Sequence, residues 1–184
     1  MYAGIDFSMS SPGVVIGNSN DPKELHWYGL KQTKKQASSE DWIVLDEYPT
    51  YTSNEERYFK LANHIMSKVL KHGVTKVFLE GYAYGANGNV FNIGEATGIL
   101  KHLLWLSNIP FETVAPNLNK KAACGKGNAN KTLLYDTFLA TTQTNLCDVL
   151  GLNRKGDKIP SPVDDLVDAY YLLQYGLSLD NSNN

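Results

Sequence analysis

Residues 2–7 read Tyr-Ala-Gly-Ile-Asp-Phe, small and apolar enough to form a short buried strand, and Asp6 stands inside it. A carboxylate there is costly unless it is paired or binds a metal. Whatever this chain folds into must offset that cost, and two further sets of acids could share a metal with Asp6. Val77-Phe78-Leu79 is an apolar strand closed by Glu80, and strand ends of this kind are where α/β sheets place their sites. Taken alone, Glu80 is equally compatible with a solvated strand end. Near the C-terminus, Asp164, Asp165 and Asp168 open a helix whose residues 166, 167, 170, 173 and 177 form an apolar arc. At about 100° per residue, Asp168 projects between the other two acids. An acidic first turn favoured by the helix dipole accounts for Asp164 and Asp165, but poorly for Asp168, a full turn further in.

Asp6, Glu80 and the pair on the late helix together make a set of hard oxygen donors suited to Mg²⁺ or Mn²⁺. Two such ions about 4 Å apart would activate a water and stabilise the leaving oxygen of a phosphodiester.

Between these acids the pattern is that of a mixed sheet. Three short strands, at residues 2–7, 14–17 and 25–30, form an antiparallel meander turning at Pro12-Gly13. Residues 31–53 have no clear period and read as a long surface excursion. Ser53-Asn54-Glu55-Glu56 caps a helix that runs to His72, with Gly73 as its stop and Phe59, Ala62, Ile65, Met66, Val69 and Leu70 as its apolar stripe. The strand at 76–80 follows, then a glycine-rich loop, a helix over 90–107, a strand at 111–114 closed by Pro116, and a helix over 129–142. An irregular basic stretch, 143–162, precedes the last helix, 163–177. The expected fold class is α/β: a mixed five-stranded sheet, three antiparallel strands plus two further strands, flanked by helices. Residues 1–178 are expected to form a single domain and 179–184 a disordered tail.

The 184 residues are 42% hydrophobic and 20% charged, as in ordinary soluble domains. No apolar run is long enough to span a bilayer. With no secretory pattern and only Cys124 and Cys147, a reducing cytoplasm is the expected location. A net charge of −2 argues against a protein that merely coats nucleic acid. The distribution says more. Residues 113–135 hold four lysines, Lys120, Lys121, Lys126 and Lys131, and no acid; Lys31, Lys34 and Lys35 form a smaller patch, as do Arg154, Lys155 and Lys158.

Four patches resemble, in order, the RuvC-type Holliday-junction resolvases, a branch of the ribonuclease H-like nuclease superfamily. These are Gly4-Ile5-Asp6 with Ser8; Phe78-Leu79-Glu80, followed by the Gly94-x-x-x-Gly98 helix; Lys120, then Gly125-x-Gly127 and Lys131; and Asp165-Leu-Val-Asp168-Ala. The resemblance implies a ribonuclease H-like fold and a Mg²⁺- or Mn²⁺-dependent crossover junction endodeoxyribonuclease of DNA recombination and repair, with two ions per site. It makes Asp6, Glu80, Asp165 and Asp168 the metal ligands. It makes Lys131 a catalytic contact to the scissile phosphate, and Lys120, Lys121 and Lys126 contacts to the DNA backbone. It further implies a homodimer, with the Gly94/Gly98 helix at the contact, acting on a four-way junction. An aromatic after the catalytic Glu stacks on junction bases in that family; here Tyr82 and Tyr84 are both candidates.

The chain departs from cellular members in its extended segments, 31–53 and between Lys131 and Asp165, as phage and viral relatives do. A related nuclease cutting flap, branched or duplex DNA shares the same carboxylates and is a second reading. A non-catalytic DNA-structure-binding relative would be expected to have lost one of them. Half of a sugar-kinase or actin-like ATPase would need a chain about twice this length.

Overall fold

A computed structural model describes residues 1–81 and 90–181, with Val90, Asp180 and Asn181 described by backbone alone. Strands β1 (Tyr2–Asp6), β2 (Gly13–Gly17) and β3 (His26–Leu30) form the expected antiparallel meander. Strand β4 (Ile43–Asp46) pairs parallel to β3, while β5 (Lys76–Glu80) pairs parallel to β1 and β6 (Phe111–Val114) parallel to β5. The described residues thus build a six-stranded sheet in the order β4-β3-β2-β1-β5-β6. Because β2 reverses between β1 and β3, every strand except β2 points the same way, and their C-terminal ends share one edge.

The sixth strand corrects the expectation of five. β4 lies inside the segment read as a surface excursion. Only Ile43 and Leu45 of its four residues turn inward. A four-residue alternation is too short to register as a period, and its partner, β3, supplies the hydrogen-bond ladder that makes it a strand.

Helices cover both faces, so β1 and β2 are buried almost throughout. On one face, α1 (Asn54–Lys71) and α2 (Val90–Leu106) pack on Ile5, Val14, Ile16 and Leu30. Ser53 caps α1 by accepting from the Glu56 amide, and Gly73, at φ +58°, ends it. Its buried stripe is Tyr58, Leu61, Ala62, Ile65, Met66 and Val69. Phe59 and Leu70, expected in that stripe, are 53% and 58% exposed, because contact with α2 turns the helix toward Tyr58 and Leu61.

On the other face lie α3 (Pro116–Cys124), α4 (Lys131–Thr142), α5 (Leu146–Val149) and α6 (Val163–Asn181), with Phe138, Leu166, Ala169 and Leu173 against Val15, Trp27 and Ile43. α3 lies between the expected strand and helix, where the sequence predicts no element, α5 falls in the stretch read as irregular, and α6 continues past the expected end at Leu177. Residues 182–184 of the expected tail lie outside the described residues.

α6 lies on β1 and β2 with nothing between the backbones. A methyl group at Gly4 would stand 2.1 Å from the Ala169 carbonyl oxygen, and one at Gly13 would stand 2.3 Å from that of Asp165. Neither atom can rotate away. Gly13→Ala is therefore expected to cost about 1–3 kcal/mol or more, as overpacking does in closed cores. Urea unfolding monitored by circular dichroism measures it, and an unchanged midpoint would mean the helix does not sit this close.

Candidate active site

Asp6 ends β1 and Glu80 ends β5. The parallel register pairs Ile5 with Leu79, so the two carboxylates close neighbouring strands at the same edge. The close seat of α6 adds Asp165, whose backbone meets Gly13, and, one turn on, Asp168. Asp6, Asp165 and Asp168 are each less than 10% exposed. The structure therefore brings all four sequence-selected acids to one place from three separate elements.

Their chemistry reflects crowding. Burial, and then the charges of Glu80, Asp168 and Asp165, push the Asp6 carboxyl well above its ordinary range, against the opposing pull of Lys131. Burial also raises Glu80, partly offset by a hydrogen bond with Asp6 and by the charges of Lys120 and Lys131. Asp165 is pushed up to about 7 by burial and by Asp164. Asp168 is likewise pushed up to about 7 by burial, Glu80 and Asp165.

Ser161 Oγ donates to Asp165 Oδ2 at 3.0 Å, whereas Asp168 Oδ1 is buried without a hydrogen-bond partner. Among the described residues, no three acid, histidine or cysteine side chains already meet at coordination spacing. The donor set nonetheless suits a hard divalent cation. The carboxylate oxygens are desolvated and mutually repelling, and one of them is unsatisfied, so a bound cation would relieve what now raises their pKa values.

Two lysines reach this cluster. Lys131 is the first residue of α4, whose cap Asn130 accepts from the Leu133 amide at 2.8 Å. Its Nζ donates to Asp164 Oδ2 at 2.5 Å. Burial opposes its charge, but that bond and the fields of Asp164, Asp165 and Asp168 outweigh burial and hold it above the ordinary lysine range. Lys120, on α3, is close enough for its charge to lower the pKa of both Glu80 and Asp168. Lys121 and Lys126, in the same strip of sequence, are exposed.

Sequence reasoning missed two participants. Asp164, read as a helix-terminus acid, is the partner of Lys131; no local pattern marks it, because the contact spans 33 residues. Asn119, fully buried, donates from Nδ2 to the Asp168 carbonyl at 3.3 Å and so ties α3, with Lys120, to α6. Its place immediately before Lys120 was the available signal. Tyr82 and Tyr84 lie outside the described residues. Gly94 and Gly98 are not at the carboxylates: they are on α2, across the sheet, where an added methyl would meet nothing within 4 Å.

The raised carboxyls give stability a definite pH dependence. Asp165 and Asp168 hold protons in the folded state up to about pH 7, against an ordinary value of 3.8. The folded state thus binds more protons than the unfolded one from about pH 4 to pH 7, and stability falls as pH rises through that window. In chelator, the melting temperature is expected to drop between pH 5 and pH 7.5, and Asp168→Asn should flatten the drop. Parallel profiles for the two proteins would refute the crowding.

No family model matches the chain. It is 26% identical over 139 residues to the crossover junction endodeoxyribonuclease RuvC of Chlamydia felis, covering 76% of this chain and 75% of the relative. It is 27% identical over the same length to the RuvC of Chlamydia caviae, with the same coverage. Among solved structures, Thermus thermophilus RuvC in complex with a Holliday junction substrate aligns with a TM-score of 0.60 at 18% identity, over 98% of this chain and 95% of that one. T. thermophilus RuvC alone gives 0.58 at 20% identity, over 98% and 96%. The yeast mitochondrial Holliday junction resolvase Ydc2 gives 0.56 at 14% identity, over 98% and 81%. The sheet order and these neighbours agree on the fold: the chain has the ribonuclease H-like fold of the RuvC structures and is similar in sequence to RuvC resolvases.

Proposed function

We propose that this protein is a metal-dependent endonuclease that resolves four-way DNA junctions by paired phosphodiester hydrolysis. The observation that carries the reading is the convergence of Asp6, Glu80, Asp165 and Asp168 at one sheet edge, flanked by Lys131 and Lys120. The RuvC relatives, and the likeness to a RuvC structure holding a Holliday junction, supply the substrate class. Two Mg²⁺ or Mn²⁺ ions in the carboxylate set would supply a nucleophilic water at neutral pH and charge stabilisation at the leaving oxygen.

The remaining work falls to the chain. The β1 and β5 ends and α6 fix the donors on rigid elements, and burial keeps bulk water from screening them. Lys131 carries a positive charge on the rim of the cluster, where it can meet charge that grows on the phosphate; Asp164 holds it there until DNA arrives. Lys120, Lys121 and Lys126 grip the backbone of the same strand.

Paired incision needs two sites, and the proposed contact between protomers is the open face of α2. Gly94 and Gly98 leave room there for a partner's close approach, and Phe91 and Trp105, on the same helix, are 83% and 69% exposed.

The test is Mg²⁺-dependent cleavage of a mobile four-way junction beside flap, Y-shaped and linear controls. Asp6→Asn should abolish cutting while retaining junction binding; a variant keeping a tenth of wild-type turnover would remove Asp6 from the metal site. Lys131→Ala should lower the single-turnover rate about 10²-fold with little change in affinity, whereas Lys120→Ala should act on binding. A wild-type rate for Lys131→Ala at saturation would make that lysine one more phosphate contact. In sedimentation equilibrium the chain should be dimeric, and Gly98→Leu, which favours the helix but fills the open face, should make it monomeric. A dimer that tolerates the leucine would place the interface elsewhere.

A further inference from the structure

The turn at residues 31–36, part of the extended segment, is tied to the site more firmly than a surface loop requires. It leaves the C-terminal end of β3, at the same sheet edge as Asp6. Gln32 Nε2 donates to the Ser10 carbonyl at 3.0 Å, in the loop that follows Asp6. Gln36, only 7% exposed, accepts from the Gln32 amide and, at 3.2 Å, from the Thr33 amide. Its Nε2 donates to the Ser161 carbonyl at 3.3 Å, and Ser161 in turn holds Asp165. A buried amide satisfied on both ends fixes the turn in one conformation relative to the carboxylate helix.

What this anchor presents is charge. Lys34 and Lys35, just before Gln36, are exposed. Lys31 is neutralised by Glu47 at 2.8 Å, but Lys34 and Lys35 have no ion-pair partner among the described residues. Lys120 and its neighbours follow β6, on the opposite side of the carboxylates. From β3 to β6 there are four strand spacings, roughly 19 Å at about 4.8 Å each. A DNA backbone crossing that distance carries about five or six phosphates at about 3.4 Å per strand step.

We infer that residues 31–36 form a second DNA-contacting rim, in which Gln36 pins the turn and Lys34 and Lys35 bind the phosphate backbone of a duplex arm on the β3 side of the site. The identity of the ligand rests on the nuclease reading above. Cleavage tests that reading, while the rim is tested by binding alone.

The experiment is a salt titration of binding, without divalent metal, using the full chain and a fluorescent four-way junction or a linear duplex of equal arm length. Lys34→Ala/Lys35→Ala should reduce the slope of log K against log salt by about 1.8, at about 0.9 per phosphate contact. Between 50 and 200 mM salt the wild type then loses about twelvefold more affinity than the variant. Lys34→Arg/Lys35→Arg should keep the wild-type slope, and the melting temperature of each variant reports that the fold is intact. An unchanged slope in the alanine variant, or no binding by the wild type, overturns the rim whatever the cleavage assay shows. A lysine-dependent slope in a protein that cuts no junction would keep the rim and discard the resolvase reading.

Discussion

Helix α6 rests on strands β1 and β2 with its backbone against theirs, and the contact is possible only because Gly4 and Gly13 have no side chains. The place of the two helix acids follows from that closeness. A side chain at either position would run into the helix backbone and push α6 off the sheet. Here the first turns of α6 lie low enough that Asp165 and Asp168 join Asp6, and Asn119 links α3 to the same helix. The glycines are therefore as much a part of the site as the acids.

The arrangement is held against its own electrostatics. Four acids are gathered where burial penalises charge, and repulsion within the set raises Asp6 and Asp168 further. Lys131 and Lys120 offset part of this, and the rigid apolar body beneath supports the rest. Strand residues Ile5, Val14, Val15 and Leu79 are fully or almost fully buried, and α6 itself buries Leu166, Leu172 and Leu173. Strained, destabilised groups concentrated in one cleft of an otherwise well-packed domain are what a binding site for a charged partner requires.

Some of this is legible in the sequence. Asp6 in an apolar strand and Asp168 a full turn inside a helix each violate the local rule for their surroundings, and both belong to the cluster. Residues with ordinary local roles were not legible. Asp164 fits an acidic first turn so well that nothing marks its bond to Lys131, and Gln36 is an unremarkable polar residue until its burial is known. The stripe on α1 shows the same limit. Two sets of positions share Ala62, Ile65, Met66 and Val69, and only the position of α2 decides that Tyr58 turns inward and Phe59 outward.

The sequence by itself determined the class of fold, the strands and helices with clear periods, and the identity of the four acids, since these depend on local pattern and on the cost of burying charge. The tertiary structure alone decided the rest. It made β4 a strand, because four residues gain a ladder only from a neighbour far enough along the chain to be invisible in a window. It chose Asp164 as the resting partner of Lys131, and it set the turn carrying Lys34 and Lys35 beside the site through Gln36 and Ser161. Those are contacts between residues 33 and 125 positions apart, fixed by how the sheet and α6 pack and not by anything adjacent in the chain.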